Sequence, residues 1–336
     1  MDNKHILVTG GCGFIGSNFI HYMLSRFTSR ITNLDKLTYA GNLENLKAVE
    51  TDPRYTFVKG DISNPADLRS LPEGIDIIIN FAAESHVDRS ITDPDAFVET
   101  NICGTYRLLE FARQKGVERF VQISTDEVYG SLPESGTFSE TTPLAPNSPY
   151  SASKASADML AMAYHRTFGL PVVITRCSNN YGPYQFPEKL IPLMISNAIE
   201  GKELPVYGDG LNIRDWIHVQ DHCEAIRLVA EKGEVGNVYN VGAENEWTNI
   251  EIVKNLLDIL SKPHSLIRYV KDRPGHDRRY AIDNTKIKTI LGYSVKKDFR
   301  TGLEETVKWY LENGTWWQRI KTGEYLTYYE KMYGNR

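Results

Sequence analysis

Apolar residues in the first half of the chain fall into short blocks. Residues 4–9, 30–34, 55–58, 75–80, 119–123 and 172–175 are each dominated by Ile, Val, Leu or Phe. They are shorter than ordinary helices and rich in β-branched or aromatic side chains, which predicts strands. Segments with helical spacing separate most of them, and that alternation predicts an α/β protein built on a doubly wound parallel sheet. Past about Cys177 the pattern changes to the loop-like Ser178-Asn179-Asn180-Tyr181-Gly182-Pro183, followed by a helix near residues 187–200. Strands expected at 214–217 and 237–241 flank another helix, as if the chain returns to its first lobe. The expected division is residues 1–178 plus about 213–244 in one lobe, with about 179–212 plus 245–336 in a smaller, interleaved C-terminal substrate lobe. There is no internal repeat or low-complexity tract, and the aromatic Trp316-Trp317 and 325–333 stretches are expected to dock on the body.

Where the first strand ends, the sequence reads Gly10-Gly11-Cys12-Gly13-Phe14-Ile15-Gly16 and then turns helical to about Arg26. Glycines 10, 13 and 16 allow a tight turn, a close backbone approach to a pyrophosphate and close helix packing. The helix N-terminus offers amide donors to the phosphates. The second strand ends in Asp35, at the interval where an acid accepts from an adenosine ribose. A carboxylate there repels a 2′-phosphate, so NAD is expected over NADP, with Lys36 the one feature that would suit the phosphate. Asp61-Ile62 and Phe81-Ala82-Ala83 follow the third and fourth strands, positions suited to the adenine and to the nicotinamide-side ribose.

The fifth strand runs into Ser124-Thr125-Asp126-Glu127, placing two hydroxyls and two carboxyls at the carboxyl end of a buried strand, where ligands of such sheets bind. Tyr150 and Lys154 are four apart after Pro149, so a helix starting there stacks them on one face. Each feature has an ordinary reading too. Strand ends are often capped by Ser, Thr or Asp, and a Tyr/Lys pair on a helix is usually surface.

Composition narrows the partners. A net charge of −5 without long basic runs offers no footprint for nucleic acid, and the longest apolar run, 75–83, is too short for a membrane span. The chain leads into its first strand without a signal-peptide core, and Cys12, Cys103, Cys177 and Cys223 are scattered, which points to a reduced, cytoplasmic protein. His218 and His222 have a metal pair's spacing but lack an evident third ligand and a Glu after the first His, so no metal is expected.

Together, the glycine turn, Asp35, Thr125-Asp126-Glu127 and the Tyr150/Lys154 pair resemble the extended short-chain dehydrogenase/reductase family, which has a Rossmann-type sheet. Longer blocks narrow the resemblance to its nucleotide-sugar 4,6-dehydratases, those acting on dTDP-glucose. These blocks are residues 34–42 (LDKLTYAGN), 83–90 (AESHVDRS), 125–130 (TDEVYG), 179–183 (NNYGP) and 272–276 (DRPGH). Cys12 stands where that family more often has Ala, a small-for-small change.

The resemblance implies a hydro-lyase with tightly bound NAD. In that reading Tyr150 takes the 4-hydroxyl proton, its phenolate favoured by Lys154 and the nicotinamide ring, and Thr125 bonds the same oxygen. Glu127 acts as base at carbon 5, and Asp126 as acid to the departing 6-hydroxyl. It implies cofactor contacts from Ile15, Gly16, Asp35, Lys36, Leu37, Thr38, Asp61, Ile62, Phe81, Ala82, Ala83, Thr100, Tyr150, Lys154 and Asn180. Substrate contacts are implied for Ser85, Thr125, Asn179, Lys189, Leu190, Pro205, Tyr207, Arg214, Asn249, Arg273 and His276, with the two arginines suited to a diphosphate. It further implies a homodimer and a place in deoxysugar biosynthesis, rhamnose among the products.

Two alternatives stay open on the residues. A UDP-sugar 4-epimerase or UDP-glucuronate decarboxylase would use the same Tyr150, Lys154 and NAD, although an epimerase leaves the two carboxyls idle. A non-catalytic NAD sensor would keep the glycine turn without needing the proton-transfer set.

Overall fold

The computed structural model describes residues 1–322. The strands are β1 (His5–Thr9), β2 (Arg30–Asp35), β3 (Tyr55–Lys59), β4 (Ile77–Asn80), β5 (Arg119–Thr125), β6 (Val172–Cys177), β7 (Asn179–Tyr181), β8 (Leu204–Tyr207), β9 (Ile213–His218), β10 (Val238–Val241), β11 (Glu246–Thr248) and β12 (Ile267–Val270). Seven of them form one parallel sheet in the order β10-β6-β5-β4-β1-β2-β3. Its central strands are covered on both faces, which is why they read as largely apolar runs. Ile6 and Val8 of β1 pack with Phe19, Ile20 and Cys223 on one side, whereas Leu7 packs with Ile78, Leu108 and Phe120 on the other.

Strand order reverses between β1 and β4, and both run in the same direction. Their carboxyl ends therefore open a crevice beside Gly10 and Phe81. The ends of β2, β5 and β6 face the same edge, so Asp35, Thr125 and Cys177 converge on it.

The second lobe holds two small sheets, β11-β9-β7 and β12-β8, over a core that includes Trp216, Leu256, Tyr310 and Trp317. The expectation for residues 214–217 needs correction. β9 pairs with β7 and β11 in a small sheet, and only the helix Val219–Lys232 and β10 return to the large one. The strand-helix-strand pattern was real, but strand pairing is set by tertiary neighbours that the pattern does not contain. Trp316 and Trp317 are buried, and the Trp316 Nε1 donates to Asn45 Oδ1 at 2.9 Å, docking the chain's late helix on the first lobe. The 325–333 aromatics lie outside the described residues.

Candidate active site

The crevice at the strand ends is a cleft of about 340 Å³. Its floor is the glycine turn, and each glycine there has a different reason. Gly10 has φ +68, and a Cβ on it would lie 2.6 Å from the Ala82 nitrogen; a Cβ on Gly16 would lie 2.4 Å from the Gly10 carbonyl oxygen. Gly13 would meet only that carbonyl oxygen, at 3.3 Å, and is otherwise open. The helix Phe14–Arg26 begins there with no side-chain cap, so its first amides remain available to an anion. This cradle, with Ile15 and Gly16 in its wall, fits a dinucleotide pyrophosphate.

Asp35 is 7% exposed and holds the turn from below. One carboxylate oxygen accepts from the Cys12 amide and the other from the Leu37 amide, both at 2.8 Å. Burial pushes its pKa up and those amides pull it back. Each oxygen keeps a further lone pair for a ribose hydroxyl. Lys36, Thr38, Asp61, Ile62, Phe81, Ala82, Ala83 and Thr100 all line the cleft, and the Lys36 ammonium pairs with Asp61 at 2.6 Å. Leu37 differs: it enters through its backbone, a left-handed residue (φ +57) whose amide serves Asp35.

The reactive groups meet at the other end. The helix Pro149–Phe168 starts with a capping box between Ser148 and Ser151, which fixes Tyr150 and Lys154 in its first turns on a buried face. Thr125 caps the short turn Asp126–Tyr129 by accepting from the Glu127 amide at 3.3 Å. Burial, then the Glu127 carboxylate, push Asp126 well above the usual carboxylate range, and its Oδ2 is buried with no hydrogen-bond partner among the described residues. Burial raises Glu127 too, but Arg273, Lys189 and Arg214 hold it down. Tyr150 departs from the expected direction. Burial and the Glu127 charge push its phenol well above its ordinary value, and a hydrogen bond with Thr125 opposes them. The Lys154 ammonium is taken by the Ile123 carbonyl oxygen at 2.6 Å, and burial lowers its pKa.

Ser85, Asn179, Asn180, Lys189 and Leu190 line the cleft beyond these groups, with the Lys189 ammonium donating to the Ser85 carbonyl oxygen at 2.6 Å. Asn180 is held by His222, whose Nδ1 lies 2.9 Å from its Oδ1, and burial lowers that histidine to about 3. His218 instead caps the Val219–Lys232 helix, so the two histidines have separate partners.

The remaining expected substrate residues lie outside this lining. Arg273 faces Asp88 at 3.6 Å, and the Tyr207 hydroxyl donates to the same carboxylate at 3.1 Å. Arg214 donates to the carbonyl oxygens of Ile213 (2.7 Å) and Asp277 (2.8 Å), with its guanidinium 4.2 Å over the Tyr280 ring. His276 contacts Asp272 at 2.6 Å and is lowered to about 4 by burial. Pro205 pairs with Arg268 between β8 and β12, and the Asn249 amide donates to the Asn212 carbonyl oxygen.

Sequence reasoning gave no role to Glu84, Arg89 or Glu188. Glu84 and Glu188 line the cleft, and Arg89 pairs with Glu188. Glu84 and Arg89 stand inside the 83–90 block, which was the only available signal.

Comparisons with known proteins give the family. Residues 7–306 match the family model for GDP-mannose 4,6 dehydratase. A dTDP-glucose 4,6-dehydratase of Xanthomonas campestris pv. campestris (strain B100) is 54% identical, over 95% of this chain and 96% of that one. The crystal structure of DesIV, a dTDP-glucose 4,6-dehydratase from Streptomyces venezuelae with NAD and TYD bound, superposes with a TM-score of 0.93 at 52% identity, covering 94% of this chain and 100% of that one. A UDP-glucose 4-epimerase of Thermus thermophilus in complex with NAD shares the fold at a TM-score of 0.85 but only 30% of the sequence, over 92% of this chain and 99% of that one. The likeness is thus greater to dehydratases than to that epimerase, and the chain belongs to the GDP-mannose 4,6 dehydratase family, in the company of the dTDP-glucose 4,6-dehydratases.

Proposed function

We propose that the protein is an NAD-dependent dTDP-glucose 4,6-dehydratase, converting dTDP-glucose to dTDP-4-keto-6-deoxy-glucose. The observation that carries the reading is the unequal pair Asp126 and Glu127 beside Tyr150, at the head of a cleft floored by a dinucleotide cradle. NAD, when bound, accepts the hydride from carbon 4 and returns it to carbon 6.

The chain supplies the proton transfers. Tyr150 accepts the 4-hydroxyl proton as a phenolate, the form that Lys154 and the positive nicotinamide of bound NAD would favour against its burial, and with Thr125 on the same oxygen it leaves a ketone that acidifies carbon 5. Glu127, whose cationic surroundings offset part of the rise that burial causes, takes the carbon 5 proton as its anion. Asp126, kept neutral by burial, gives its proton to the 6-hydroxyl, which leaves as water. Glu127 then returns a proton to carbon 5 as carbon 6 is reduced. Arg214 and Arg273 take the diphosphate. The Arg214 guanidinium is held by backbone carbonyls, which leaves its full charge for an anionic ligand.

The division of labour follows the lobes: cofactor on residues 1–178 plus about 213–244, nucleotide sugar on about 179–212 plus 245–336, with β9 joining the latter. The protein acts as a homodimer in a reducing cytoplasm. Val98, Tyr106, Met159 and Phe168 are 45–58% exposed along adjacent helical segments, an apolar face suited to a second copy, and all four cysteines are free. No helix among the described residues is long and apolar enough to cross a membrane. The product belongs to deoxysugar biosynthesis, of which rhamnose formation is one branch.

Incubation with dTDP-glucose and with UDP-glucose in parallel tests the reading. A product with the alkaline absorbance of a 4-keto-6-deoxy sugar is expected from the former. A 4-epimer in its place overturns the assignment.

A further inference from the structure

The reaction returns to each substrate molecule the hydride it took, so a reduced cofactor that leaves the cleft in mid-cycle strands the sugar as a ketone. Something must hold the dinucleotide between the two transfers. Three residues outside the proton-transfer set meet at the edge of the cleft, where Glu188 is part of its lining, each from a different part of the chain. Tyr39 comes from the loop after Asp35, Arg89 from the segment after β4, and Glu188 from the substrate lobe. The Tyr39 hydroxyl donates to Glu188 Oε1 at 2.9 Å, and the Arg89 guanidinium donates to Glu188 Oε2 at 3.3 Å. The guanidinium carbon also lies over the Tyr39 ring, 3.8 Å from its centroid.

Glu188 is 7% exposed, so these contacts are made away from bulk water, where a paired carboxylate is costly to uncouple. Its neighbour Lys189 stitches the same substrate-lobe segment to the Ser85 carbonyl oxygen at 2.6 Å. The loop carrying Tyr39 is the one whose base, Asp35, faces the adenosine end. Opening the cleft there requires parting Glu188 from both partners.

We propose that Tyr39, Arg89 and Glu188 form a clamp that fastens the substrate lobe over the bound dinucleotide and keeps it in place through the turnover. They are positioning residues, and the proposal rests on the NAD reading above. Glu188→Gln removes the charge that Arg89 holds; Tyr39→Phe removes one hydrogen bond and keeps the ring beneath the guanidinium.

The test loads wild-type, Tyr39→Phe and Glu188→Gln proteins with NAD and chases with excess fluorescent etheno-NAD, following exchange by stopped flow. Loss of a hydrogen bond to a charged group corresponds to roughly ten- to a hundredfold faster release in Glu188→Gln. A smaller acceleration is expected in Tyr39→Phe, and both variants should release ketone sugar that still carries its 6-hydroxyl when NAD is scarce. At saturating NAD the single-turnover rate of Tyr39→Phe, whose side chain is outside the cleft lining, should match wild type. Exchange at the wild-type rate in Tyr39→Phe and Glu188→Gln overturns the clamp. So does a single-turnover rate in Tyr39→Phe that falls as far as its retention does, because that puts the contact in the chemistry. A wild-type protein that takes up no NAD fails the cofactor reading itself, a result distinct from either.

Discussion

Asp126 and Glu127 are consecutive in the chain yet keep different electrostatic company: Glu127 faces Arg273, Lys189 and Arg214 against Asp277, whereas Asp126 faces Glu127 and Asp215, offset by Arg214 and a hydrogen bond from Thr125. Burial pushes both carboxyls toward their neutral forms, Asp126 the more strongly, while the cations around Glu127 offset part of its shift. Asp126→Asn should therefore leave oxidation intact and slow elimination by about 10²- to 10⁴-fold, the usual worth of a positioned acid. The variant should accumulate reduced cofactor and a 4-keto sugar retaining its 6-hydroxyl, visible in a single-turnover absorbance trace. Deuterium exchange at carbon 5 should persist in Asp126→Asn and vanish in Glu127→Gln.

The same bias sets a pH dependence. Elimination needs Glu127 ionised and Asp126 protonated, so its rate should fall on the acid side through the raised Glu127 pKa and on the alkaline side through the still higher Asp126 pKa. Stability has its own sign. The folded state raises the Asp126 pKa above its ordinary 3.8, so the folded protein binds this proton more tightly than the unfolded chain. That stability is fully present below the unfolded value and is lost as pH rises toward the folded pKa. Asp126→Asn should accordingly raise the melting temperature at pH 8 more than at pH 4, and equal shifts at both would remove this account.

Thr125 opposes the forces that push Tyr150 upward. Thr125→Val should move the Tyr150 pKa higher still, slowing oxidation at neutral pH and shifting the alkaline-rising limb of its pH–rate profile to higher pH. Tyr150→Phe should abolish cofactor reduction at every pH, which separates loss of the base from its detuning.

The large sheet was legible because β1, β2, β4, β5 and β6 are buried on both faces, and that burial writes itself as short, largely apolar blocks in which buried polar residues such as Asn33 and Gln122 are the interruptions. The small sheets were not, because β7 and β11 have three residues each, too few to show alternation. Asp35 was readable from its interval after the glycines. Its two backbone amide partners were not, since they depend on how the loop after it folds back. Arg214, Arg273 and His276 come from β9 and the loop after β12, and only family resemblance singled them out. Glu188 is half of an ion pair whose other half lies 99 residues away, a relation no local pattern carries.

Asp35→Ala should cost NAD binding more than the about 1.5–3 kcal/mol of one lost ribose hydrogen bond, because it also frees the Cys12 and Leu37 amides that shape the turn. NAD retained through gel filtration at the wild-type level would count against this role.

The glycines should separate folding from binding. Gly16→Ala drives a Cβ into the Gly10 carbonyl oxygen and should lower stability by about 1–3 kcal/mol, as overpacking does. Gly13→Ala meets only the Gly10 carbonyl oxygen, at a tight 3.3 Å, so it should cost less stability than Gly16→Ala while losing NAD, since its other side is where the pyrophosphate approaches. Denaturant melts paired with NAD titrations distinguish the two.

Every group assigned to proton transfer lies before residue 178, but the sheet that holds them is finished only by β10, whose Val238 pairs with Ile174 of β6. On the ribosome, β6 therefore emerges with one long side bare and waits while the first substrate-lobe insertion and the Val219–Lys232 helix are made. All six of its residues are buried in the finished protein, so the waiting edge is both apolar and rich in unpaired amides. Chains cut short in that interval carry a complete set of reactive side chains on a template for edge-to-edge aggregation.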